Sequence, residues 1–138
     1  MSRPTALIAA AAALALAATA AAALAASSST LPRVLDCAGA PLLRPQGTLV
    51  LSCADANSEI KSTHWSAWSA SGAAGTTDFG LNLCTPSCVA SRIRFFPNSS
   101  VRLSRPVTTS KGRLFSRAVI SYTLNGKRRS FTAELVTN

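Results

Sequence analysis

Residues 114–124 and 127–136 are two alternating runs on either side of an Asn125-Gly126 dipeptide. No other feature restricts the fold of this chain as tightly. Asn-Gly favours a two-residue type I′ turn, because both central residues of that turn need a positive φ. Placing Leu124 opposite Lys127 then fixes a whole register. Ile120 faces Phe131, Ala118 faces Ala133 and Ser116 faces Leu135 on one side. Arg117 meets Glu134 and Val119 meets Thr132 on the other. That single alignment satisfies a mostly apolar face and an opposite-charge pair together. A slip of one residue would turn Phe131 and Leu135 outward.

Other strands follow from alternation and turn residues. Residues 48–53 read as a strand with Leu49 and Leu51 on one side, closed by a polar turn at Asp55-Ala56-Asn57. Residues 59–65 read as a second strand of poor alternation, in which Ile60, Ser62 and His64 share a face. Residues 77–83 alternate well, with Phe79, Leu81 and Leu83 on one side. Residues 91–96 form a basic strand, broken at Pro97-Asn98-Ser99-Ser100, and residues 101–105 form another that ends at Pro106. No amphipathic helix is evident after residue 26. The expected fold is all-β, a small antiparallel sandwich or barrel of about seven strands.

The amino terminus carries a different message. Arg3 precedes a small, apolar, alanine-rich run that reaches Ala26 and is interrupted only by Thr19. Ala23-Leu24-Ala25 fits small-x-small cleavage, so residues 1–25 read as a signal peptide. The rival is an uncleaved membrane anchor, since about 20 apolar residues suffice to span. Contact with a membrane is expected only in that case. Val34-Leu35-Asp36-Cys37 superficially resembles a lipobox, but the Asp before the cysteine is wrong for one. Residues 26–46, with Pro32, Pro41, Pro45 and Gly39, read as an extended N-terminal arm, and residues 47–138 as the β domain.

The four cysteines in an exported chain read as two disulfides. Cys84 and Cys88 enclose a turn containing Pro86, which brings them within bonding reach. Cys37 is then left for Cys53, so that the arm is pinned to the first strand. Three connectivities are formally open, and this is the expected one. The spacings match neither a zinc site nor a two-residue redox pair.

Chemistry is thinly supplied. His64 is the single histidine. It could join Asp55 or Asp78 and a serine in a small hydrolase, but no nucleophile-elbow pattern accompanies it. Asp55, Asn57 and Glu59 begin a calcium-loop alternation that lacks the later glycine and glutamate, so turn capping is the better reading. The chain has 5 carboxylates, too few to make a glycosidase pair a strong reading. Asn98-Ser99-Ser100 matches a glycosylation acceptor, which matters only in a glycosylating secretory system. No cofactor or metal is expected.

Charge and aromatics say more. The formal net charge is +9, with most of the cations after residue 91. Such a field favours anionic partners. The candidate ligand surface comprises Trp65, Trp68, Arg92, Arg94, Arg102, Arg105, Lys127, Arg128 and Arg129. Core packing is the competing role for the two tryptophans. An exported basic protein meets anionic envelope polymers, or another secreted protein, before it meets nucleic acid, and no specific nucleic-acid partner is expected.

Taken together, Leu51-Ser52-Cys53-Ala54-Asp55-Ala56-Asn57, Trp65-Ser66-Ala67-Trp68, the Ala/Gly stretch after it and Asn82-Leu83-Cys84-Thr85-Pro86-Ser87-Cys88, with the basic strand pair beyond, resemble a group of small secreted actinobacterial proteins without an established activity. The resemblance spans residues 37–124 and implies export and a disulfide-bonded β fold. It implies no catalytic residues. Relatives often carry glycine just after the last cysteine, where this chain has Val89-Ala90-Ser91, so the following turn departs from the pattern. The secreted subtilisin inhibitors of streptomycetes are similar in mature length and in having two disulfides, but lack the short Cys84–Cys88 loop. The expected function is therefore a secreted or envelope-associated, non-enzymatic binding or structural module. The alternatives are a secreted protease inhibitor or, less favoured, a hydrolase using His64.

Overall fold

A computed structural model describes residues 31–138. The signal-peptide reading, and residues 26–30 of the arm, fall outside the described residues. Among those described there is no helix long and apolar enough to cross a membrane.

The chain forms eight strands: β1 Val34–Leu35, β2 Pro41–Leu42, β3 Leu49–Val50, β4 Ser58–Trp68, β5 Ala73–Asn82, β6 Ile93–Thr109, β7 Gly112–Leu124 and β8 Lys127–Glu134. β1 and β2 pair with each other. The other six form one sheet in sequence order, β3-β4-β5-β6-β7-β8, and every named pair is antiparallel. The sheet curls into a half-barrel. Both disulfides have the expected connectivity, Cys37–Cys53 and Cys84–Cys88.

The β7–β8 hairpin has the register that its turn dictates. Leu124 pairs with Lys127, Ile120 with Phe131, Ala118 with Ala133 and Arg117 with Glu134. Asn125 and Gly126 have φ values of 52° and 73°, as a type I′ turn requires. Arg117 Nε lies 4.0 Å from Glu134 Oε1. A partly exposed pair at that distance contributes about 1 kcal/mol at most.

Two strand readings need correction. In β4, Lys61 pairs with Asp78 and the next partners are His64 and Thr76, so β4 holds one residue more than β5 there. Ser62 takes a φ of 51°. This bulge exchanges the faces: Ile60 and Thr63 point inward, and His64 is exposed on the other side from Ile60. The Thr63 and Thr77 hydroxyls meet at 2.9 Å inside, and Thr77 Oγ1 also donates to Lys61 O. These contacts satisfy polar groups that would otherwise be buried at a cost of about 1–3 kcal/mol each.

A second bulge lies between Trp65 and Ala67. It puts both tryptophans on the inner face, although a regular strand would separate residues three apart. Gly75 lies opposite Trp65, and a Cβ on it would fall 2.5 Å from His64 O. Backbone cannot retreat as a side-chain end can, so Gly75→Ala should destabilise the domain by about 1–3 kcal/mol in denaturant titration.

The second correction concerns Pro97 and Pro106, which do not end their strands. β6 runs through both. Pro97 and Asn98 form the bulged segment between the pairs Thr77–Ser99 and Phe79–Phe96, where the missing N–H of proline breaks no ladder. Asn98 takes a φ of 55°. Pro106 lies beyond Leu103, the last β6 residue paired to β5, so one side of the strand is already free of a partner. The arm is also more ordered than expected. It folds back on itself as β1 and β2, and the register pairs Val34 with Leu42.

The core fills the curl. Phe79 on β5 and Phe131 on β8 are three strands apart, about 14 Å in a flat sheet. Their ring centroids are 5.3 Å apart. Tyr122 lies 5.1 Å from Phe79 and 4.8 Å from Phe96. At the other end of the inner face Trp68, Phe115, Val34 and Leu103 are buried together.

Candidate functional site

The two tryptophans sit on the inner face with their rings 4.8 Å apart, edge to face. Trp68 is 8% exposed and packs against Phe115. Its Nε1–H donates to Pro32 O at 2.9 Å, and Trp65 Nε1–H donates to Pro45 O at 2.8 Å. Both indoles therefore direct their polar edge to the N-terminal segment. They fasten that segment across one end of the half-barrel. Trp68 serves as core, and Trp65 remains half-buried beside Arg44 in a small surface notch.

The seven basic residues of the candidate surface are all exposed, but the register sorts them by face. Leu81 pairs with Arg94, Tyr122 with Arg129 and Leu124 with Lys127, which places these three cations on the inner face. Arg102 pairs with Val119 and Arg128 with Thr123, on the outer face. Arg105 has a φ of 54° and its carbonyl accepts the Ser116 hydroxyl. Arg92 precedes β6 in the loop that follows the Cys84–Cys88 bridge.

The carboxylates follow the opposite rule. Glu59, Asp78 and Glu134 pair with Gly80, Lys61 and Arg117, all on the outer face. Asp36 and Asp55 are turn residues. Asp36 Oδ1 accepts the amides of Ala38 and Ala40, and Asp55 Oδ1 accepts that of Asn57. So no strand carboxylate shares a face with Arg94, Lys127 and Arg129. These three line a rim above the aromatic cluster, and the Arg94 guanidinium carbon lies 5.3 Å from the centre of the Phe96 ring. A cation over an aromatic face gains about 0.5–1 kcal/mol at an exposed site.

A hydrogen-bonded lattice holds the loops beside this rim. Asn82 ends β5. Its Nδ2 donates to Asn57 Oδ1 and Cys88 O, and its Oδ1 accepts the amide of Cys84. Asn57 Nδ2 donates to Asp55 Oδ2. The Asn57 amide, then its side chain, hold the Asp55 carboxyl below its ordinary 3.8. The loop closed by Cys84–Cys88 is thus tied to the turn that follows Cys53. The turn-forming role of Asp55 and Asn57 is legible in the sequence. The part played by Asn82, 25 residues from Asn57, is not.

His64 lies in a different place. With Ser62, Thr76, Thr77, Asp78 and Asn98 it lines a cleft of about 170 Å³ on the outer face. A histidine, an aspartate and a serine thus converge there, but no hydrogen bond among the described residues joins His64 to either of the others. Asp78 faces Lys61 across the strand pair instead. Nucleophilic catalysis needs its base in hydrogen-bond reach of both partners, so the cleft lacks the required linkage. Another outer-face cleft, of about 510 Å³, is lined mostly by small residues from Ala67 to Ala74, with Arg102 as its one charge.

No family model, no curated protein and no solved structure matches this chain.

Proposed function

We propose that this protein is an exported, non-enzymatic module that binds an anionic polymer of the cell envelope through Arg94, Lys127 and Arg129. The observation that carries this reading is the separation of charge by register, with three cations on the inner-face rim and every strand carboxylate on the other face. A polyanion approaching the rim meets no nearby strand carboxylate. The aromatic cluster beneath is already packed and gives the cations a rigid support, which lowers the ordering cost of binding. Two disulfides fit an oxidising compartment, and the signal-like N-terminal run supports export. Resemblance to small secreted actinobacterial proteins agrees with both.

Co-sedimentation of the oxidised protein with purified envelope of the producing organism, over a salt series, tests the reading. Binding should weaken steeply as salt rises. The triple variant Arg94→Glu, Lys127→Glu, Arg129→Glu should lose about tenfold or more in affinity, since three exposed contacts of about 0.2–1 kcal/mol each are replaced by repulsion. A control variant, Arg102→Glu with Arg105→Glu, keeps the same fold and should lose much less. Absence of binding even at low salt, or equal losses in the two variants, would rule out the rim as the working surface.

A further inference from the structure

The sheet is left open at β8, and the strand is built to pair with itself. Among the described residues β8 hydrogen-bonds only to β7. Leu124 and Lys127 flank the two-residue turn and form a hydrogen-bonded pair, so Lys127, Arg129, Phe131 and Ala133 direct their backbone groups to β7. The amide of Leu135 continues that phase by donating to Ser116 O at 2.8 Å. The N–H and C=O groups of Arg128, Ser130, Thr132 and Glu134 therefore point away from the sheet. All four residues are exposed.

Exposed strand edges in natural proteins are usually blunted by charge. Here both signs are present, spaced symmetrically. Arg128 and Glu134 each lie three residues from Phe131 and share the outer face. In an antiparallel pairing of two β8 strands centred on Phe131, Arg128 of each copy faces Glu134 of the other. Ser130 faces Thr132, and the half-buried Phe131 faces its own counterpart on the inner side. The outward backbone groups come into hydrogen-bonding phase in the same alignment. Moving the register by two residues in either direction leaves both charges without a partner. Arg117 does not compete strongly for Glu134, whose side chain is 69% exposed and 4.0 Å from Arg117 Nε.

We infer that β8 is a homodimer interface, in which two copies of this chain join edge to edge through an isologous β8–β8 pairing centred on Phe131. The inference does not rest on polymer binding: Lys127 and Arg129 belong to the same strand, but Arg128 and Glu134, which set the pairing, lie on its opposite face.

Sedimentation equilibrium of the oxidised protein over a range of concentrations tests it. The protein should show a monomer–dimer equilibrium. Arg128→Glu and Glu134→Arg, each alone, should weaken dimerisation by more than about tenfold, because two ion pairs become two like-charge contacts. Mixing the two single variants should restore a dimer, with opposite charges again facing at both positions, and that rescue also shows that both variants fold. Hydrogen exchange adds a second readout. On dimerisation the amides of Arg128, Ser130, Thr132 and Glu134 should gain protection, whereas those of Arg129, Phe131 and Ala133 are protected throughout. A monomer at every concentration, a dimer indifferent to both single changes, or variants that do not rescue each other would overturn the inference.

Discussion

Phe79→Ala should lower the stability of the domain by about 3–5 kcal/mol, the usual cost of deleting a buried aromatic ring. Phe79 is fully buried and its ring lies within 6.3 Å of Phe96, Tyr122 and Phe131. Those contacts join β5 to β6, β7 and β8 across the curl. Loss of the ring leaves a cavity inside the curl, lined by rings from three other strands that are held in place by their own pairing. The damage should therefore reach beyond β5. Chemical denaturation with tryptophan fluorescence measures the loss, since Trp65 and Trp68 lie at the other end of the inner face and report global unfolding. A loss under 1 kcal/mol would mean that the aromatic cluster does not support the curl. Arg94 should also lose its fixed position, because Phe96 beneath it packs on Phe79.

Replacing both Cys37 and Cys53 with serine should cost about 3 kcal/mol, on the loop-entropy estimate for a loop of this length. The bridge spans a sequence separation of 16. It joins the β1–β2 hairpin to the segment after β3, and β3 is only two residues long. Without the bridge that short edge strand depends on its pairing with β4 and on the burial of Leu49 and Leu51. The corresponding change at Cys84 and Cys88, with a separation of 4, should cost only about 2 kcal/mol by the same estimate. The comparison is made by calorimetry of the two double-serine variants. Equal losses, or a larger loss at Cys84 and Cys88, would show that the first bridge does not anchor the N-terminal segment.

The candidate surface was legible in part. Composition and position marked Arg94, Lys127 and Arg129 as cations near the C-terminal half. They also marked Arg102, Arg105 and Arg128; the hairpin register set Arg128 on the face opposite Lys127 and Arg129, but nothing told Arg94 apart from Arg102 and Arg105. The separation of Arg94 from Arg102 depends on the register of β5 with β6, which passes through the bulge at Pro97 and Asn98. The tryptophans present the same problem. Spacing alone left open whether they share a face. The bulge between Trp65 and Ala67 decided it, and the carbonyls of Pro32 and Pro45 gave both indoles a partner.

Sequence alone determined whatever depends on neighbours along the chain. Asn125-Gly126 set the β7–β8 register because a type I′ turn leaves one alignment. The closeness of Cys84 to Cys88 limited their pairing, and alternation of apolar residues implied an antiparallel all-β fold. Tertiary structure decided where an extra residue enters a strand and which way the sheet bends. A single inserted residue reverses every face beyond it, so His64 and Thr63 exchange inside for outside at Ser62. Whether the strand takes that insertion depends on what the partner strand offers, here the Thr77 hydroxyl and the bare backbone of Gly75. These are contacts between residues more than ten positions apart. Short-range pattern does not encode them, and they fix which side of the sheet presents its charge.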